Sequence, residues 1–279
     1  MILREPCLPL GWYPREKTEI AHFLESYNTA ALGQGAIAPH AGWYYSGRSA
    51  ALAVSSLDRD AQTVVVMGGH LPGGMPLLLA EEDGVKTPLG IIDIDRELRE
   101  EFKARAAGLI TPRPDRYNDN TVEILLPMVR YFFPSSDLLW LRFPSERSSY
   151  DAGKLLAQSA QSIGRKIVVL GSTDLTHYGD NYGFSPKGRG KPALDWVKKV
   201  NDAAFIDAVL GGDHMMVLQR AEEDFSACSA GAVLGVLGFS AEMGIQGKLL
   251  DYRTSADADE GEVPGSFVGY AAFSFGPAF

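Results

Sequence analysis

Several things are scarce in this chain of 279 residues, and each scarcity excludes a class of protein. It has only two cysteines, Cys7 and Cys228, far apart in sequence, so no disulfide framework holds it and a reducing compartment is expected. Basic residues number 26 against 35 acidic ones, a formal charge of -9, which argues against generic attraction to nucleic acid or an anionic membrane surface. No apolar run approaches the roughly 18 residues of a membrane helix, and the stretch from Met1 to Pro6 lacks a basic start followed by an apolar core. The expected address is therefore cytoplasmic. There is also no P-loop, no well-placed dinucleotide fingerprint, no Gly-x-Ser-x-Gly and no His-Glu-x-x-His.

What remains is the composition of a globular protein, 46% hydrophobic and 22% charged, with a length that suits one large α/β domain covering residues 1–279. Gly35 to Ala38, Thr63 to Met67 and Lys166 to Leu170 read as strands buried on both faces. Leu77 to Ala80, Gly90 to Ile94, Leu138 to Phe143, Lys248 to Arg253 and Phe267 to Phe275 read as further strands, with a turn expected at Asp83-Gly84. Helical spacing is found over Arg15 to Tyr27, Ser49 to Leu57, Glu97 to Ala106, Asn120 to Phe133, Asp151 to Ile163, Ala193 to Leu210 and Cys228 to Met243. Strands alternating with helices predict an α/β sheet whose ligands gather beyond the carboxyl ends of its strands.

Three of the five histidines, His40, His70 and His177, fall in loops just after predicted strands. Any one alone reads as a turn residue, but three at one sheet edge point to chemistry. His22 on a surface helix and His214 in a Gly-Gly-Asp turn receive no role. Neutral imidazole is the commonest protein metal ligand, and two imidazoles with an anionic group make a minimal catalytic site. Cys228 is one candidate for that anion, because a helix N-terminus lowers a thiol pKa; a small buried core residue is the competing reading, and both stay open. Asp174 and His177 stand three apart, so a helical turn would set the carboxylate beside the imidazole as a proton-transfer pair. Glu123 and Asp119 are candidate supporting carboxylates, while Trp12 and Tyr45 belong to a set of loop-edge aromatics able to line a pocket or pack the core.

At these motifs the sequence resembles the Memo family, called AmmeMemoRadiSam system protein B in prokaryotes. Gly11-Trp12-Tyr13-Pro14 is similar to the family's Gly-x-[Phe/Trp]-Tyr-Pro, and Pro39 to Gly47 to its Pro-His-Ala-Gly-Tyr-x-Tyr-Ser-Gly. His70 stands where the family has Gly-Pro-x-His, Glu123 to Pro127 resembles Glu-x-x-x-Pro, Ser172 to His177 resembles Ser-Ser-Asp-x-Ser-His, and Cys228 matches Cys-Gly. Val268 to Ala271 resembles the closing strand. Departures surround the site without deleting a ligand: Asp119-Asn120-Thr121 stands for Glu-His-Ser, Gly68-Gly69 for Gly-Pro, and Cys228-Ser229 for Cys-Gly.

The resemblance implies a single α/β domain with a mixed central sheet flanked by helices, related to class III extradiol ring-cleavage dioxygenases. It implies His40, His70 and Cys228 as metal ligands, with iron or copper as the metal and zinc as a further option, and His177 as an acid/base. Trp12, Tyr45 and Glu123 would line the pocket. A small-molecule or peptide substrate and a functional link to a radical-SAM enzyme are implied too, as is an alternative use of the pocket as a phosphopeptide-binding adaptor. Nucleic acid and membrane are not expected as partners.

Overall fold

The three uninterrupted apolar runs form the centre of a nine-stranded sheet, because a strand covered on both faces is stable only between other strands and beneath helices. The computed structural model describes residues 1–27, 32–258 and 261–277. The strands in chain order are β1 (Leu3–Arg4), β2 (Gly35–Ala38), β3 (Thr63–Leu71), β4 (Leu77–Ala80), β5 (Gly84–Thr87), β6 (Gly90–Asp93), β7 (Ile110–Arg113), β8 (Asp137–Pro144), β9 (Ile167–Ser172), β10 (His177–Gly179), β11 (Gln246–Thr254) and β12 (Ser266–Gly276). The main sheet runs β10-β12-β2-β9-β3-β8-β4-β7, with β11 also paired to β12, and β1, β5 and β6 make a small separate sheet.

The sheet is mixed. β2, β9, β3 and β8 are mutually parallel, whereas β12 runs antiparallel to β2 and β4 antiparallel to β8. Parallel neighbours finish at the same edge, so the segments after β2 and β9 and the end of β3 meet there. This brings His40, His70 and Asp174 together from three separate parts of the sequence.

Helix Ala230–Met243 lies over the sheet and is buried on every side through Ser240, which explains why it carries almost no charge. It packs on helix Arg147–Ser162 so closely that a side chain at Gly153 would collide with the Gly235 carbonyl. The Gly/Ala-rich composition thus buys close helix approach. No described helix is long and apolar enough to cross a membrane.

Some local expectations change. Asn120 to Phe133 is two short helices, Asn120–Glu123 and Leu126–Phe132, because Pro127 occupies the first turn of a new helix rather than the interior of one. The span from Ala193 to Leu210 is broken by a π-turn at Val197–Asn201. Gly84 opens β5 instead of closing a turn, and His214 begins helix His214–Glu223, capped by Asp213, with its ring stacked on Tyr150 at 4.1 Å. The short strands β1, β7 and β10 carry too little pattern to be read from sequence.

Candidate metal centre

His40 follows β2 and is buried. Its backbone N–H donates to Asp174 Oδ1 at 2.7 Å, its Nδ1 meets Ser172 Oγ at 2.9 Å, and Asn120 Nδ2 donates to its carbonyl at 2.7 Å. Its Nε2 lies 3.2 Å from Cys228 Sγ, and in the tautomer whose Nδ1–H donates to Ser172 the Nε2 lone pair is directed at the thiol.

His70 lies within β3 rather than in a loop beyond it. Its φ is 62°, at the register irregularity between Gly68 and Leu71. A left-handed conformation is costly for a residue with a Cβ and is concentrated at functional sites. The preceding Gly69 is dictated by packing, since a side chain there would collide with Ser229, the residue after Cys228. The His70 ring stands edge-on to that of His40, with centroids 5.0 Å apart. Cys228 enters from the N-terminal side of helix Ala230–Met243, its N–H donating to the Asp174 carbonyl at 3.3 Å. One ligand atom from each of His40, His70 and Cys228 lies within 4.8 Å of the others, the only such grouping among the described residues.

The electrostatics suit a metal better than a free thiolate. Desolvation, then the neighbouring His177, lowers the His40 imidazole to about 3. Desolvation, then His40, lowers His70 to about 4, although His70 keeps solvent-accessible surface. Both rings are neutral at physiological pH and can donate lone pairs. Burial, followed by the charge of Asp174, pushes Cys228 up to about 12, opposite to the lowering expected from its helix position. Desolvation therefore outweighs the helix end, and thiolate formation here needs a cation. A His/His/Cys set supplies borderline and soft donors that suit copper, zinc and iron.

Asp174 and His177 do not share a helical turn. Residues 173–176 form no helix, the Asp174 carboxylate accepts the His40 N–H, and His177 Nδ1 lies 3.1 Å from the Leu175 carbonyl, which leaves Nε2 free to face a ligand. The cause is a clamp on Thr176: its N–H and hydroxyl both donate to the buried Asp202, while Asn201 Nδ2 donates to the Thr176 hydroxyl oxygen at 2.9 Å. Burial holds Asp174 up at about 6.

Asp174 and His177 both line a cavity of about 660 Å³ whose walls include Trp12, Tyr45, Asn120, Tyr182 and Tyr270. Asp174 Oδ2 also lies 3.8 Å from His40 Nε2, so this carboxylate joins the cavity to the metal trio. Tyr182, five residues after His177, and Tyr270, within the Val268 to Ala271 segment, were not singled out in the sequence as site residues. Glu123 does not line this cavity. It is buried against the N-terminal segment, accepting the N–H of Cys7 at 2.7 Å, its thiol at 2.9 Å and the Tyr13 hydroxyl at 2.8 Å. It thereby anchors the segment that carries Trp12. Asp119 pairs with Arg142 and caps Thr121.

Fold and site together define an α/β protein with a candidate His/His/Cys metal centre at the carboxyl edge of a mixed sheet. The profile of the Memo-like protein family matches residues 4–274, and the chain belongs to that family. A MEMO1 family protein of Methanosarcina barkeri is 32% identical, covering 97% of this chain and 98% of its own length. Another, from Archaeoglobus fulgidus, is 29% identical over 98% and 99% of the two chains. Among solved structures, an uncharacterized protein of Escherichia coli K12 matches with a TM-score of 0.48 and 12% identity, over 85% of this chain and 98% of that one.

Proposed function

We propose that this Memo-like protein is a metal-dependent redox enzyme in which His40, His70 and Cys228 hold iron or copper. The observation that carries the reading is the convergence of three uncharged ligand side chains from three separate segments, one of them on strained backbone. When bound, such an ion would supply redox and Lewis-acid chemistry, which three protein ligands leave room for. Zinc fits the same donors and would turn the reading toward hydrolysis.

The chain's own groups supply the rest. Ser172 Oγ holds the His40 ring at Nδ1 and Asn120 holds its backbone. Asp174 accepts or returns a proton at the cavity floor, and His177 Nε2 does so at its wall. Trp12 and Tyr45 cover the approach and displace water from it. The substrate is a small molecule or peptide, and a step shared with a radical-SAM enzyme follows from the family resemblance. A phosphopeptide adaptor is less favoured, because among the described residues no Lys or Arg lines the cavity to receive a phosphate.

The test is elemental analysis of anaerobically purified protein beside His40→Ala, His70→Ala and Cys228→Ala, with circular dichroism confirming the fold. Near-stoichiometric iron or copper in the wild type, lost from all three variants, is the expected result. Full metal content in folded His40→Ala and Cys228→Ala would sink the ligand assignment.

A further inference from the structure

The walls of the cavity are informative about what enters it. Four aromatic side chains, Trp12, Tyr45, Tyr182 and Tyr270, surround a space in which Asp174 is the sole carboxylate among the described lining residues. Tyr45 and Tyr182 are about half exposed, and Tyr270 is buried. Tyr182 packs edge-on to His177 with centroids 4.9 Å apart. The hydroxyls of Tyr182 and Tyr270 are both raised, first by burial and then by the charge of Asp174, which places both within its field.

We propose that the cavity selects an organic cation, a protonated amine carried on a ring-bearing or apolar body, with its ammonium directed at Asp174 and lying against the tyrosine faces. This rests on the reading of the cavity as the approach to the metal trio. Aromatic faces attract cations through their quadrupole, more strongly as water is excluded, and a carboxylate adds a charge-assisted hydrogen bond. An anion meets the opposite situation, since Asp174 repels it and no Lys or Arg among the described lining residues offsets the repulsion. The rest of the chain reinforces the sign, with its formal charge of -9. A volume of about 660 Å³ suits a small-molecule ligand.

Three probes of matched shape test this by calorimetry and tryptophan fluorescence: 2-phenylethylamine, the neutral 2-phenylethanol, and the anionic phenyl phosphate. They are titrated into the purified protein at neutral pH, with metal content measured on the same sample. The amine is expected to bind about ten-fold more tightly than the alcohol, with the phosphate weakest. Asp174→Asn should erase the preference for the amine while leaving alcohol binding unchanged. Tyr182→Leu, at a half-exposed position that tolerates substitution, should weaken the amine selectively and so carries the test if Asp174→Asn misfolds.

Equal binding of amine and alcohol, tighter binding of the phosphate, or no binding of any probe at millimolar concentration would each overturn the proposal. The two readings fail separately. Metal retained without an amine preference sinks this inference alone, and an amine preference in metal-free protein sinks the metal assignment alone.

Discussion

Two buried polar clusters lie near one edge of the sheet, and they treat their polar atoms in opposite ways. Around Arg142, charges are matched internally: Nε donates to Asp115 at 2.8 Å, Nη1 to Asp119 and Thr121, and Trp140 Nε1 to Asp115 at 3.1 Å, while Arg4 adds an ion pair at 3.5 Å. Arg142 Nη2 and Arg4 Nε are the donors there without a partner. In the trio, His40 Nε2 faces the Cys228 thiol, and the ligand atoms of all three residues face one another. The Arg142 cluster matches most of its buried charge internally, whereas the trio gathers three metal-ligand side chains with the Cys228 thiol set against His40 Nε2.

The largest expected effect breaks the first cluster. Asp115→Ala strands the fully buried Arg142 without its main counter-charge and should cost about 3 to 5 kcal/mol in urea unfolding. A loss under about 1 kcal/mol would mean that the network is not holding the fold.

The second prediction uses pH on metal-free protein. His40 and His70, lowered to about 3 and about 4, bind fewer protons folded than unfolded. Their contribution to stability is therefore lost as pH falls below about 6.5. Asp174 and Asp202, each raised to about 6 chiefly by burial, bind more protons folded than unfolded between about 4 and 6, so they work in the opposite direction. The wild-type profile should be shallow across that interval. Asp202→Asn removes one opposing group, and its stability should fall on the order of 2 kcal/mol further than wild type between about pH 6 and 4. Parallel profiles from chemical denaturation would refute this balance.

A smaller effect is expected from Glu123→Gln, which weakens the charge-assisted bonds to Cys7, Leu8 and Tyr13 by about 1 to 2 kcal/mol. Limited proteolysis should cut earlier within the first 15 residues, and Trp12 fluorescence should shift toward that of a solvated indole. Unchanged cleavage would show that other contacts hold the segment. Cys228→Ala should change metal-free stability least, by less than about 1 kcal/mol, while cutting metal affinity at least 10-fold, on the order seen for lost metal-site partners. That separation of stability from metal content is the sharpest contrast between the two clusters.

Legibility followed the same division. β3 and β9 are readable because strands buried on both faces need continuous apolar runs, and the histidines just beyond or at the ends of such strands inherit their position from them. The break between Glu123 and Leu126 was hidden because helical spacing continues across it, although Pro127 was its visible sign. The expected helical turn from Asp174 to His177 failed because Asp202, more than 20 residues downstream, captures Thr176. Glu123 anchors the N-terminal segment instead of lining the cavity, and nothing in the sequence signalled this because its partners Cys7, Leu8 and Tyr13 lie more than 100 residues away.

By itself the sequence determined the fold class and the apolar strands and singled out His40 and His70, because each depends on local periodicity or residue chemistry, while Cys228 was assigned as a ligand only through the family resemblance. Only the tertiary structure decided that His40, His70 and Cys228 come together, that Cys228 is raised rather than lowered, and that Tyr182 and Tyr270 line one cavity with Asp174. Those properties come from strand order and desolvation, which depend on contacts between residues remote in the chain.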